Sequence, residues 1–312
     1  MIPNYARFIN AVSAARKVSP IRRITEIVTT GPPSLISFGS GFPNPDAFPF
    51  SCVKVETKHH GTIELEGQLL HTALQYQPSG GYPPLVQWLK KLQLHLHAPA
   101  TSLPEFQGKD AEFGLTVTTG SSEGLSKIVH MALSPGDSLL VEEPSYPGTL
   151  SMLRPMQLKL MPVSCDGEGL QPESLRSQLE KAKENRPRAL YLQPNSSNPT
   201  GAAMPLERRM EVMKLASEYD LLVIEDDPYY FLQFDTENRL PSLLSLDQEG
   251  RVLRCDSFSK VMSSGLRLGF VSGPKVLIDR IVLDVQVSTL HTSALAQVLV
   301  LQLLVRMGLE GF

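Results

Sequence analysis

The sequence predicts an α/β protein of the doubly wound kind, a mostly parallel sheet with helices on both of its faces. Three observations predict it. From Leu115 onward, short apolar runs alternate with longer stretches of helical period. The runs are apolar throughout, as strands buried on both sides are. A chain of 312 residues, 42% hydrophobic and 20% charged, can bury a large core and exceeds one typical domain.

Taken in order, Tyr5 to Ala15 has a weakly helical pattern. Gly31-Pro32-Pro33 breaks the chain, and Leu35-Ile36-Ser37-Phe38 reads as a short strand. The next stretch, Gly39-Ser40-Gly41-Phe42-Pro43-Asn44-Pro45, cannot be regular structure. Glycines used in this way let backbone approach a ligand closely. Tyr76 to Tyr82, with Pro78, Gly80 and Gly81, is a turn. Pro84 then begins a helix whose Leu85, Trp88, Leu89, Leu92 and Leu96 share one face.

Strand and helix then alternate: Leu115–Thr118 and Ser121–Leu133, Ser138–Val141 and Gly148–Leu153, Leu158–Val163 and Pro172–Lys183, Ala189–Leu192 and Pro205–Tyr219. Leu221–Ile224 and Val252–Cys255 are further strands, and Leu268–Ser272 precedes a helix from Pro274. We divide the chain into an N-terminal arm, 1–33, and one large domain, 34–312.

Composition excludes several classes. A net charge of −3 carries no footprint for nucleic acid. No apolar run approaches the length of a membrane span. Cys52, Cys165 and Cys255 are odd in number and far apart, which suits neither a disulfide framework nor a metal motif. No metal is expected. Before the first acid, Glu26, the chain carries Arg7, Arg16, Lys17, Arg22 and Arg23. An acid-poor, Arg-bearing start suits a mitochondrial transit peptide or a basic arm against a neighbouring subunit. We expect the mitochondrial matrix, with the cytoplasm as the alternative.

The chemistry concentrates in Asp256-Ser257-Phe258-Ser259-Lys260, with Arg267 seven residues beyond the lysine. A lysine amine can form a Schiff base with an aldehyde. A guanidinium and a hydroxyl suit a phosphate. An aldehyde that bears a phosphate is pyridoxal 5′-phosphate. A bare Ser-x-x-Lys is common, so the argument depends on four other strand ends, where ligands gather in parallel sheets. Thr119-Gly120-Ser121-Ser122 opens a helix; Ser121 or Ser122 can cap it and leave N–H groups for an anion. In Glu143-Pro144-Ser145-Tyr146-Pro147-Gly148 a rigid turn holds Tyr146 where its ring could stack on a planar group. Asn198-Pro199-Thr200-Gly201 presents an amide able to donate to a phenolate. Glu225-Asp226-Asp227-Pro228-Tyr229-Tyr230 brings carboxylates together at one strand end, where they repel unless one meets a cation such as a protonated pyridine. Tyr230 can reach the ring oxygen.

In this order the motifs resemble the class I/II aminotransferases of pyridoxal-phosphate fold type I, along the whole chain. The resemblance implies transamination between an amino acid, such as L-kynurenine or L-2-aminoadipate, and a 2-oxo acid such as 2-oxoglutarate. It implies pyridoxal 5′-phosphate as cofactor and a homodimer. Carried over, Lys260 resembles the lysine that binds the cofactor and shuttles the proton. Asp227 matches the acid on the pyridine nitrogen, Tyr230 and Asn198 the groups on the ring oxygen, and Tyr146 the stacking ring. Ser121, Ser122, Ser257 and Arg267 match the phosphate cup, with Ser122 replacing the glutamine common in the family. Arg22 and Tyr76 match substrate-side residues, together with Tyr146 and Asn198. Gly41 and Phe42 match the loop over the substrate. The family continues into a small C-terminal domain that supplies an arginine for the substrate carboxylate. We expect that domain to be absent here, because the chain ends at Gly311-Phe312. Two alternatives remain open: a truncated, weak or inactive partner chain, and another fold-type-I enzyme such as a β-lyase.

Overall fold

The computed structural model describes residues 2–312 apart from 22–23, 25–26, 28–31, 33, 35, 37, 40, 183–184 and 236–237. The strand read over Leu35–Phe38 falls partly on residues outside the described ones. Near the N-terminus a short turn, Tyr5–Phe8, leads into α1, Ala11–Ala15. These residues are seated on the body of the chain. Phe8 is buried in the core, the Tyr5 hydroxyl donates to Gly250 O at 2.7 Å, and Arg7 pairs with Asp220 at 2.8 Å.

A hairpin comes next, β1 (Val53–Glu56) against β2 (Thr62–Leu65), followed by α2 (Gly67–Leu74). The sequence reading passed over this hairpin. Val53-Lys54-Val55-Glu56 alternates apolar and polar residues, the pattern of a half-exposed strand, and lacks the continuous apolar run of a strand buried on both faces. From α3 (Pro83–His97) onward the expected alternation holds: β3 (Phe113–Thr118), α4 (Gly120–Ala132), β4 (Ser138–Glu143), α5 (Pro147–Leu153), β5 (Lys159–Asp166), β6 (Gly169–Leu170), α6 (Pro172–Lys181), β7 (Ala189–Leu192), α7 (Leu206–Glu218), β8 (Leu222–Asp226), α8 (Leu243–Leu246), β9 (Val252–Ser257), β10 (Gly269–Pro274), α9 (Lys275–Val287) and α10 (Ala294–Met307).

The strand order is β3-β10-β9-β8-β7-β4-β5-β6. The centre, from β9 to β5, is parallel, whereas β10 runs antiparallel to both β9 and β3. Side chains alternate between the two faces. Leu139, Val141, Ala189, Tyr191, Leu222, Ile224, Leu253 and Cys255 face one core with Leu125 and Ile128 of α4 and Ile281 of α9. Leu140, Leu190, Leu192, Val223 and Val252 face the other, against α6, α7 and α8.

The second face also holds a buried charge cluster at the carboxyl ends of β8 and β9. Arg254 is fully buried and meets Glu225 at 3.0 Å, Asp227 at 3.0 Å and Asp256 at 2.9 Å. Glu225 also accepts the backbone N–H groups of Leu243 and Leu244, which begin α8. Burial pushes Asp256 up to about 6 and also raises Glu225, while Arg254 pulls both back. A buried charge left without its partner is strongly destabilising. Arg254→Met is therefore expected to lower the unfolding free energy by about 3–5 kcal/mol, measured by urea denaturation at neutral pH. A loss below about 1 kcal/mol, the scale of an ordinary surface pair, would show that the carboxylates do not need this cation.

Candidate active site

A cleft of about 560 Å3 opens at the carboxyl ends of the parallel strands, on the α4 side of the sheet. Its walls include Ser121, Ser122, Tyr146, Asn198, Asp226, Tyr229, Ser257, Ser259, Lys260 and Arg267. One corner is cationic and rich in donors. Helix α4 begins at Gly120, so Ser121 and Ser122 lie within its first turn instead of capping it. The backbone N–H of Thr119, just ahead, is taken by the Glu123 side chain at 2.6 Å. First-turn N–H groups and the positive end of the helix dipole favour an anion at this point.

Arg267 is held over the same corner in the left-handed region, φ 50°, ψ 48°. Its guanidinium donates to Ser259 Oγ at 3.3 Å, Ser264 O at 3.1 Å and Thr119 O at 3.4 Å. A Cβ on Gly120 would lie 2.5 Å from Arg267 Nη2, so only glycine lets the guanidinium come this near the helix start. Gly269 is as tightly placed: a Cβ there would sit 2.6 Å from Asp256 O and 2.8 Å from Ser121 N.

Lys260 lies beyond the end of β9, its Nζ 5.9 Å from the centre of the Tyr229 ring. Asp226 lines the same cleft. Its Oδ2 accepts from the Tyr191 hydroxyl and from Gln193 Nε2, each at 3.0 Å. Its Oδ1 is buried and has no hydrogen-bond partner among the described residues. Burial pushes Asp226 up to about 6, and the Tyr191 and Gln193 hydrogen bonds hold it from rising further. A buried acceptor left open beside a cleft fits a cationic donor such as a ring N–H⁺. Tyr146 forms another wall, and its ring leaves no room for a side chain at Gly148, where a Cβ would meet it at 2.6 Å.

Two sequence expectations are corrected. Asp227 and Tyr230 do not line this cleft. In β8, Leu222 and Ile224 point to the α4 side, so Asp226 does too, and Asp227 turns to the opposite face. There it accepts from Arg254 and Asn195, although its Oδ1 also lacks a partner among the described residues. Tyr230 is buried against His97, with ring centroids 4.7 Å apart, and beneath Arg254. Asp226 and Tyr229 take the places beside the cleft. Counting the alternation from the apolar residues of β8 would have picked out Asp226.

Of the substrate-side residues, Phe42 and Tyr76 pack together at 6.2 Å, and Tyr76 meets His291 edge-on at 6.0 Å. The adjoining residues Thr289 and Thr292 touch Glu123 and Thr119 at the start of α4. Gly41, Phe42 and Tyr76 thus stand apart from the cleft walls, and Arg22 lies outside the described residues. Among the described residues, the one group that brings three possible metal ligands together is Cys52, Glu64 and Glu66, on the hairpin. No helix among them is long and apolar enough to cross a membrane.

Beneath the cleft lies Glu142, pushed up to about 8 by burial. Its Oε2 accepts from Gln193 N at 2.9 Å and Ser197 Oγ at 3.4 Å, and Oε1 is unpartnered among the described residues. Gln193, Glu142 and Tyr191 carry no motif, and the sequence reading missed all three.

Residues 34–306 match the family described as aminotransferase class I and II. The chain is 49% identical over 317 residues to kynurenine/alpha-aminoadipate aminotransferase, mitochondrial, of Bos taurus, covering 99% of this chain and 74% of that protein. The fold superposes on the crystal structure of aminotransferase Aro8 from Candida albicans with a TM-score of 0.88 and 30% identity, over 100% of this chain and 72% of the other. It also superposes on LysN, the alpha-aminoadipate aminotransferase of Thermus thermophilus, complexed with N-(5′-phosphopyridoxyl)-L-leucine. Here the TM-score is 0.65 and the identity 34%, over 77% of this chain and 58% of that one.

Two outcomes test the site. An acid whose pKa is higher in the folded chain binds more protons there, so stability falls as pH rises between the two values. For Glu142 that window runs from 4.5 to about 8. Each pH unit within it costs at most about 1.4 kcal/mol. Glu142→Gln, which resembles the protonated acid, is expected to flatten this part of the stability–pH curve and to be at least as stable as the parent at pH ~8. Unchanged curves would show that Glu142 is ionised in the folded chain. Separately, Gly269→Ala must displace the start of α4. It is expected to cost about 1–3 kcal/mol and to weaken phosphate binding by calorimetry. Parental stability and affinity would contradict the packing described.

Proposed function

The chain belongs to the aminotransferase class I and II family, whose members use pyridoxal phosphate, and on that premise we propose that this cleft transfers an amino group between L-kynurenine or L-2-aminoadipate and 2-oxoglutarate or a related 2-oxo acid. One observation carries the assignment of the site: Asp226, whose buried Oδ1 has no hydrogen-bond partner among the described residues, lines a cleft that also holds Lys260 and the corner of hydroxyls, helix N–H groups and Arg267. The residues fit the cofactor at four points. Arg267, Ser121, Ser122, Ser257 and Ser259 offer donors for the phosphate. The Asp226 carboxylate offers the counter-charge for a protonated ring nitrogen. Tyr146 offers a flat wall, and Asn198 and Tyr229 offer donors for the ring oxygen.

When bound, pyridoxal phosphate supplies an aldehyde for the amino group and a ring that draws off electrons. The protein supplies the rest. The Lys260 amine would hold the cofactor by its aldehyde and would serve as the base for the proton on the substrate α-carbon. Asp226 would supply the counter-charge that keeps a ring nitrogen protonated, the state in which such a ring draws off electrons. Asn198 would orient the ring through its oxygen edge, and Arg267 would anchor the phosphate. The names of the relatives and the acid-poor N-terminus support the mitochondrial matrix. We further propose residues 34–312 as the large domain, residues 1–33 as the arm, and a homodimer as the working state.

Borohydride reduction with pyridoxal phosphate, followed by peptide mapping, is expected to label Lys260, and Lys260→Ala to lose at least ~10²–10⁴ in rate. A label on another lysine overturns the assignment. Asp226→Asn is expected to reduce turnover of kynurenine with 2-oxoglutarate by about 10²–10³-fold. Asp227→Asn is expected to lower stability and to keep the parental absorption spectrum. The reverse pattern would return the ring-nitrogen role to Asp227.

A further inference from the structure

We infer that Gln193 is a positioning residue that couples the two polar edges of the cofactor pocket, its one carboxamide joining Asp226 to Asn198. The inference rests on the reading of the cleft given above. Gln193 is buried in the stretch after β7, and both ends of its side chain are engaged. Nε2 donates to Asp226 Oδ2 at 3.0 Å, and Oε1 accepts the backbone N–H of Asn198 at 3.0 Å. A carboxylate offers no donor and a backbone N–H no acceptor, so the two partners together set which way the carboxamide lies.

The bridge has a fixed base and a fixed target. Gln193 N donates to Glu142, which also holds Ser197, so the chain on both sides of the turn is tied to one side chain. Arg209 grips the same turn through Pro194 O and Asn195 Oδ1, at 3.0 and 2.7 Å. At the other end, Gln193 and Tyr191 both donate to Oδ2 of Asp226. Two donors on one oxygen restrain the rotation of the carboxylate and leave Oδ1 without a partner among the described residues. Tyr191 touches only the Asp226 edge; its other partner is Thr149. Gln193 reaches both edges. The other titratable or charged groups around Asp226 are Tyr191 on β7, Glu142 on β4, Arg254 and Cys255 on β9, and the adjoining Asp227.

Removing the carboxamide loosens both edges in the same sense. A weaker counter-charge leaves the ring nitrogen less often protonated, and a looser Asn198 donates less well to the ring oxygen. Each change lets the nitrogen that joins Lys260 to the cofactor hold its proton to higher pH. The test uses the full chain loaded with pyridoxal phosphate, with Gln193→Met as the apolar variant of similar shape and Gln193→Glu as the conservative one. The pH midpoint of the visible absorption band, the cofactor dissociation constant and the melting temperature of the cofactor-free chain are measured for each. Gln193→Met is expected to raise the midpoint by about 0.5–1 unit and to weaken cofactor binding about tenfold, the scale of one or two lost hydrogen bonds. Gln193→Glu keeps an acceptor for Asn198. It is expected to match the parent at acid pH, where the new carboxyl group is protonated and can donate, and to match Gln193→Met at alkaline pH, where two carboxylates oppose each other.

A Gln193→Met variant with parental midpoint and affinity overturns the inference, and so does one in which only the melting temperature falls. If that variant does not fold, Gln193→Glu decides alone, and the absence of its acid–alkaline contrast overturns the inference. A parent chain that takes up no cofactor at Lys260 removes the reading of the cleft and this inference with it.

Discussion

One buried cation, Arg254, joins the carboxyl ends of β8 and β9. Arg254 has no exposure and is surrounded by Glu225, Asp227 and Asp256, all within 3.0 Å. Without it, the carboxyl ends of β8 and β9 would bring three carboxylates together in a low-dielectric interior, an arrangement that repels and is costly to desolvate. With it, these strand ends are locked in register. Glu225 passes the constraint on to α8 through the Leu243 and Leu244 N–H groups, and Asp227 passes it through Asn195 to the turn that carries Asn198. The cation serves the scaffold face of the sheet, and that leaves the remaining carboxylate, Asp226, for the other face.

The cleft inherits its precision from this division. On the α4 side, Tyr191 and Gln193 set Asp226, and the turn after β7 sets Asn198. At the opposite corner the geometry relies on backbone. Glycine at 269 admits the approach of β9 and β10 to the start of α4, and Arg267 is kept in a left-handed conformation that costs about 1–3 kcal/mol unless its surroundings impose it. Here three main-chain and hydroxyl oxygens do so. A pocket built from strand ends and helix starts needs little adjustment when a ligand with a phosphate and a planar ring arrives, which suits a reaction whose barrier depends on alignment.

What the sequence by itself determined was the order of elements and the chemistry available at each strand end. Apolar runs with intervening helical periods specify an α/β sheet whatever the packing, and Lys260, Arg267, Ser121, Ser122, Tyr146 and Asn198, which the structure brings into one cleft, sit in motifs with few structural reasons to exist. The half-exposed hairpin of β1 and β2 escaped because its alternating pattern lacks an apolar run. Only the tertiary structure decided which of two adjacent acids, and which of two adjacent tyrosines, belongs to the cleft. Asp226 and Asp227 are chemically the same in sequence. A strand sends neighbours to opposite faces, and which face becomes the cleft is fixed only when α4 covers one side and α7 and α8 the other. The same holds for Gln193, whose role exists only because folding sets Asp226 and the Asn198 N–H at the two ends of one carboxamide.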